Sequence, residues 1–163
     1  MTATPAPAAS GQAGTGGKGG GARCRTSRLR ASLGSKGTYQ GANDLQVVDL
    51  TNTGPVPCTL YGFPGVNLVG TVGAHQGYQW PLRRSGIDRP VKVTLAPGGT
   101  AHFDLVYLAW GSGTAGQEIS VDEIVLTPPD DRAQTRLTWK QAILLQDAAT
   151  RPGTWIQPVR PGA

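Results

Sequence analysis

Along most of the chain, apolar and polar residues alternate in short runs broken by glycine and proline, the pattern of strands with one face in a core. The run Leu45-Gln-Val-Val-Asp-Leu50 predicts a strand that leads into the stretch Asn52 to Val66. There Thr51-Asn-Thr-Gly-Pro55 turns the chain, since Gly54 tolerates positive φ while Pro55 and Pro57 fix φ and bar a helix. A second corner, Gly62-Phe-Pro-Gly65, launches a strand from Val66 to Val69. Upstream, Arg25 to Leu33 predicts a strand with Leu29, Ala31 and Leu33 on one face and Arg28 and Arg30 on the other. Downstream, Gly70 to Gly86 reads as a loop, and Val91 to Leu95 as a short strand ended by the turn Ala96-Pro-Gly-Gly99. Thr100 to Trp110 predicts the longest strand, with Ala101, Phe103, Leu105, Tyr107 and Ala109 sharing a face. Its other face begins polar, at His102 and Asp104, and ends apolar, at Val106, Leu108 and Trp110. That is the pattern of a half-covered strand at the centre of a sandwich. Gln117 to Thr127, Thr135 to Lys140 and Ile143 to Gln146 complete the strands, with a turn at Asp130-Asp131-Arg132 and a last short strand at Trp155-Ile156.

Composition narrows this all-β reading. The chain of 163 residues suits one domain with an appendage, and 24 glycines and 13 prolines with only 15% charged residues fit a loop-rich β-domain. Residues 1–22 hold only small residues, proline, one Gln and one charge, Lys18, after Met1. With nothing to bury against the entropy of ordering, they are expected to form a flexible tail on a body spanning 23–163. A net charge of +5 favours anionic surfaces but falls short of a dedicated nucleic-acid binder. No apolar run approaches the ~20 residues of a membrane span. The N-terminus resembles that of a secreted protein after loss of its export signal, so an extracellular location is expected. The two cysteines, Cys24 and Cys58, suit a structural disulfide in an oxidising compartment, or two free thiols in a reducing one.

Little of the chain suggests catalysis. The pattern G-x-G-x-x-G occurs at Gly14–Gly19 and Gly111–Gly116, but dinucleotide binding needs a strand before it and a helix after it. The first has neither, and the second is followed by a strand. His75 and His102 lie in no nucleophile motif. His102 and Asp104 share a strand face, yet two ligands are too few for a structural zinc. Asp122-Glu123 would point to opposite faces and Asp130-Asp131 lies in a turn, so neither pair resembles an acid–base dyad. No enzyme, cofactor or metal is expected. Two surfaces remain. Arg23, Arg25, Arg28, Arg30 and Lys36 either grip an anionic polymer or acidic partner or form the solvated face of an edge strand. Tyr78, Trp80, Arg83 and Arg84, with Trp110, have the composition of a ligand surface, unless Tyr78 and Trp80 fold back as lids on the core.

Several phrases carry a family resemblance. Cys24, Leu50-Thr-Asn-Thr-Gly54, Pro57-Cys-Thr-Leu-Tyr-Gly-Phe-Pro-Gly65, Val93-Thr-Leu-Ala-Pro-Gly-Gly-Thr-Ala101 and Leu126-Thr-Pro-Pro129 resemble the family called domain of unknown function 4232, over roughly Arg23 to Gln157. Its members are exported proteins and lipoproteins of actinobacteria. The resemblance implies an immunoglobulin-like antiparallel β-sandwich outside the cytoplasm and a Cys24–Cys58 bridge, and it implies no activity. In layout, a featureless tail on a β-body, the chain is also similar to the small adaptor subunits of secreted umbrella-shaped antibacterial toxin particles.

The expected function is therefore a non-enzymatic secreted adaptor that assembles with other secreted subunits. Its tail would lie extended in a partner groove through Thr4, Pro5, Ala6, Pro7, Ala8 and Ala9, then Ser10, Gly11, Ala13 and Gly14. The alternative is an extracellular module that binds a carbohydrate or cell-wall polymer through the aromatic and arginine surface.

Overall fold

The computed structural model describes residues 21–111, 116–145 and 153–162, and these form a two-sheet β-sandwich. Its strands are β1 (Leu29–Thr38), β2 (Asn43–Asn52), β3 (Cys58–Tyr61), β4 (Gly65–Val72), β5 (His75–Pro81), β6 (Arg83–Arg84), β7 (Lys92–Leu95), β8 (Thr100–Leu108), β9 (Gln117–Thr127), β10 (Thr135–Leu145), β11 (Trp155–Ile156) and β12 (Arg160–Pro161). The one helical piece among the described residues is a 3-10 turn, Thr26–Arg28. The first sheet runs β1-β2-β8-β11-β6, with β12 also on β8; the second runs β10-β9-β4-β5; β3 and β7 form a separate pair. Neighbours are antiparallel except β11 and β6, which run parallel. No described helix is long and apolar enough to cross a membrane.

The alternation read from the sequence sets the core. Val48 and Leu50 of β2 and Ala101, Phe103, Leu105 and Tyr107 of β8 face inward from the first sheet. Leu68, Ile119, Ile124 and Ile143 are fully buried residues of the second. Each such leucine or isoleucine stabilises the fold by roughly 1.5–3 kcal/mol. A polar side chain, that of Gln46, is buried beside them. Gln46 accepts a hydrogen bond from Trp139 Nε1 (3.2 Å) and donates to the carbonyls of Gly34 (3.0 Å) and Val47 (2.9 Å). Trp139 in turn meets Tyr107 edge-on, at 5.3 Å between ring centroids.

The structure moves several expected boundaries. The first strand begins only at Leu29, after the 3-10 turn, and continues to Thr38. Leu33 stays 40% exposed because the β1–β2 register shifts just beyond it. The corner around Cys58 contains a strand of its own, β3, paired with β7. The segment 70–86 is not a loop: β4 extends to Val72 and returns through a hairpin as β5, and β6 follows. Gly70 lies inside β4, at a register shift against β9, where a Cβ would come 2.2 Å from the Ser120 carbonyl oxygen. Only glycine fits so close a backbone approach.

Candidate functional site

The C-terminal segment builds the site. In β11, Trp155 lies opposite Val106 of β8 and beside Arg83 of β6. Residues directly opposite across a sheet share a face, so Trp155, Arg83 and Val106 belong to the outer face of the first sheet. Ile156 and Arg84, next along, belong to the inner side, and there the Arg84 guanidinium sits 5.5 Å from the Phe63 ring centroid. Pairing continues past β6, since the Ser85 N–H donates to the Ile156 carbonyl at 2.8 Å.

The β1–β2 hairpin supplies a second ring. Gly41, at φ 58°, lets the chain reverse tightly, and the Tyr39 N–H closes the hairpin on the Asn43 carbonyl at 2.9 Å. Tyr39 then reaches Trp155 edge-on, 5.6 Å between ring centroids at 85°. Tyr39, Trp155, Arg83, Arg84 and the 85–87 turn enclose an open depression of about 450 Å³. Ile87, on its rim, is 85% exposed. No carboxylate lines it among the described residues. Asp88, next to Ile87, has its carboxylate turned to the Ser85 hydroxyl and the Gln157 amide.

The polar end of the same sheet face holds His102 and Asp104. His102 Nδ1 lies 2.9 Å from the Gly162 carbonyl, and the Asp104 carbonyl accepts from the Gln157 N–H at 3.0 Å. Burial pushes the Asp104 carboxyl above the ordinary carboxylate range; His102 and Arg160 pull it back and Asp88 adds to the push. Tyr107 is likewise raised, by burial first and by Asp44 second. His75 stacks edge-on against Tyr78 at 5.5 Å. No three of His, Cys, Asp and Glu gather as a metal would require among the described residues.

The structure separates most of the ligand residues expected from sequence. Arg83 and Arg84 line the depression. Trp80 does not: it is only 4% exposed and belongs to the core, so the lid reading holds for it. Its position opposite Leu68 in β4 explains this, because both face inward. Tyr78 packs partly against the core from β5, and Trp110, 44% exposed, sits where β8 meets β10. Neither lines the depression. Its aromatic wall comes instead from Tyr39 and Trp155, whose one sequence signal is an aromatic residue beside a turn or at the end of a short strand. The tail residues Thr4, Pro5, Ala6, Pro7, Ala8, Ala9, Ser10, Gly11, Ala13 and Gly14 lie outside the described residues.

At the far end of the body, Cys24 and Cys58 form the expected disulfide, with Cα atoms 4.8 Å apart. Beside it Thr59 accepts from the Cys24 N–H (2.8 Å) and donates to the Ala22 carbonyl (2.9 Å), pairing Arg23 with β3 in parallel.

No curated protein matches the chain. A family model does, over residues 24–157, from the first cysteine to the residue after β11. The matched span holds the disulfide, every strand but β12 and both rings of the depression, and the chain belongs to the family described as Domain of unknown function (DUF4232).

Proposed function

We propose that the protein is a non-enzymatic, secreted recognition module that binds an anionic glycan in the Tyr39–Trp155 depression. The observation that carries this is an aromatic wall beside Arg83, on the same sheet face as Trp155, in a recess that no carboxylate lines among the described residues. Aromatic rings offer a flat apolar face to the C–H side of a sugar, and guanidinium groups take carboxylates or phosphates in two-pronged hydrogen bonds. The recess is concave and mostly apolar, with few polar groups, as small-ligand sites are. The disulfide supports a place outside the cytoplasm, where oxidising conditions keep it closed. The two histidines support a non-catalytic reading, since His75 is stacked on Tyr78 and His102 is turned to a backbone carbonyl.

Calorimetric titration with polygalacturonate and with its uncharged methyl ester tests the proposal. The charged polymer should bind and the ester should not. Trp155→Ala and, separately, Ile87→Glu should each weaken binding by about tenfold or more. Ile87 is exposed, so its replacement leaves the fold intact. Equal binding of both polymers, or an Ile87→Glu protein that binds like the parent, would sink the idea.

A second reading rests on how the N-terminal segment is rooted. Backbone bonds to Thr59 and the disulfide fix residues 22–24, so a partner that holds the residues before them would hold the body as well. This supports the adaptor role, within an antibacterial toxin particle or another secreted complex. Removing residues 2–20 should then abolish partner capture from culture supernatant and leave the melting temperature unchanged; retained capture would exclude the role.

A further inference from the structure

A groove of about 200 Å³ opens beside the disulfide, rimmed by Arg23, Arg25 and Arg28 and floored by Pro55, Val56 and Pro57. All three arginines are exposed, and no hydrogen bond or ion pair engages their guanidinium groups among the described residues. Val56 is 61% exposed, an apolar side chain presented between cations.

The backbone beneath is held firmly. The Asn52 side chain donates to the carbonyls of Val56 (2.9 Å) and Leu95 (3.0 Å) and accepts from the Gly54 N–H (2.9 Å). The Thr53 N–H donates to the Arg28 carbonyl at 2.8 Å, joining the corner to the 3-10 turn. A recess held in this way loses little entropy when it is filled. Along its edge, the bonds to β3 are made by the neighbours of Arg23, Ala22 and Cys24, so the N–H and carbonyl of Arg23 itself point away from β3. They are placed to pair with an added extended chain.

We infer that this groove docks an extended acidic segment of a partner protein, its carboxylates on the arginines and an apolar side chain on Val56. Charge argues against the chain's own first twenty residues as occupant: they carry Lys18 and no carboxylate. Asp131, the acid that reaches this region, is already engaged by the Thr26 N–H (2.8 Å) and leaves the arginines to an outside partner. The apolar floor argues for a peptide over a bare polyanion, which would use the charges and leave Val56 uncovered.

Fluorescence anisotropy tests this with the full chain and a labelled peptide alternating glutamate and valine. Poly-L-glutamate and polyglycerol phosphate serve as probes of charge alone. The alternating peptide should bind at least about tenfold more tightly than either. Arg25→Glu with Arg28→Glu should remove binding, and Val56→Ser should erase the advantage over poly-L-glutamate. All these side chains are exposed, and an unchanged melting temperature verifies each variant; Arg25→Ala with Arg28→Ala, expected to weaken binding less, gives a milder check. The inference is overturned if the alternating peptide does not bind, if a charge-only probe binds as well, or if Val56→Ser has no effect. It is also overturned if the same variants break up self-association of the chain, which would make a second copy the occupant.

Discussion

The two arginine-lined recesses differ in how they are held together. The groove at the disulfide is covalently closed: Arg23, Arg25, Arg28 and Val56 all lie within or beside the loop that Cys24 and Cys58 tie off. The depression has no covalent tie. Its wall forms only because the C-terminal segment returns along β8, setting Trp155 beside Arg83 and under Tyr39. A covalent clamp acts mainly by limiting the unfolded chain, whereas a wall of distant residues depends on each backbone and ring contact that holds the last strand in place. The groove should therefore respond to redox conditions, and the depression to whatever loosens β11 and β12.

The largest effect separates them most sharply. Replacing both cysteines with serine, or reducing the bond, should cost about 3–4 kcal/mol and lower the melting temperature by roughly 10 °C. At temperatures where the reduced protein stays folded, peptide binding at the groove should fall while glycan binding at the depression persists. Calorimetric scans and titrations of oxidised and reduced protein would show this. Equal loss at both recesses would mean that they are not independent.

Smaller effects come from two carboxylates with opposite pH dependence, one near each recess. Asp131 accepts from the Thr26 N–H (2.8 Å) and the Arg132 N–H (2.7 Å), linking the β9–β10 turn to the 3-10 turn under the groove. These bonds, the Thr26 backbone bond foremost, hold its carboxyl well below the ordinary carboxylate range. A depressed folded value stabilises fully above the unfolded one, and the contribution fades as pH falls from about 4. Asp131→Ala should therefore lower the melting temperature at pH 7, by an amount that shrinks in acid. Asp104, beside Arg160 of β12, shows the reverse. Burial raises its carboxyl, so its ionisation, as pH rises through the raised value, costs stability. Asp104→Asn should slightly raise the melting temperature at pH 7 and leave it unchanged near pH 3. Melting curves across that range decide both, and a pH-independent difference in either variant would remove the electrostatic explanation.

How much of this was legible in the sequence depended on burial. Strands β2, β8 and β9 were readable because each lies between two neighbours with one face in the core, so apolar residues fall at every second position over much of their length. Strand β5 escaped because it is an edge: of His75 to Pro81 only Trp80 is buried, and Gly77, at φ 72°, interrupts the pattern. Strand β3 was hidden between Pro57 and the Gly62 corner, whose turn signals outweigh four residues. The arginines of the depression were found by composition. Its rings were not, because Tyr39 and Trp155 come from opposite ends of the chain and meet only through pairing with β8 and its neighbours.

By itself, then, the sequence determined the all-β class, the tight corner, the disulfide partner and the inward face of the central strands. These follow from local rules: period-two alternation, fixed φ at proline, and a single possible pairing of two cysteines. Only the tertiary structure decided which aromatics meet solvent. Trp80 and Trp155 each close or flank a short strand and look alike in sequence, yet one faces Leu68 in the core and the other stands on the outer sheet face. Alternation says that neighbouring side chains point to opposite faces; which face is covered depends on the strand that arrives to pair there, and that is fixed by contacts far away in the chain.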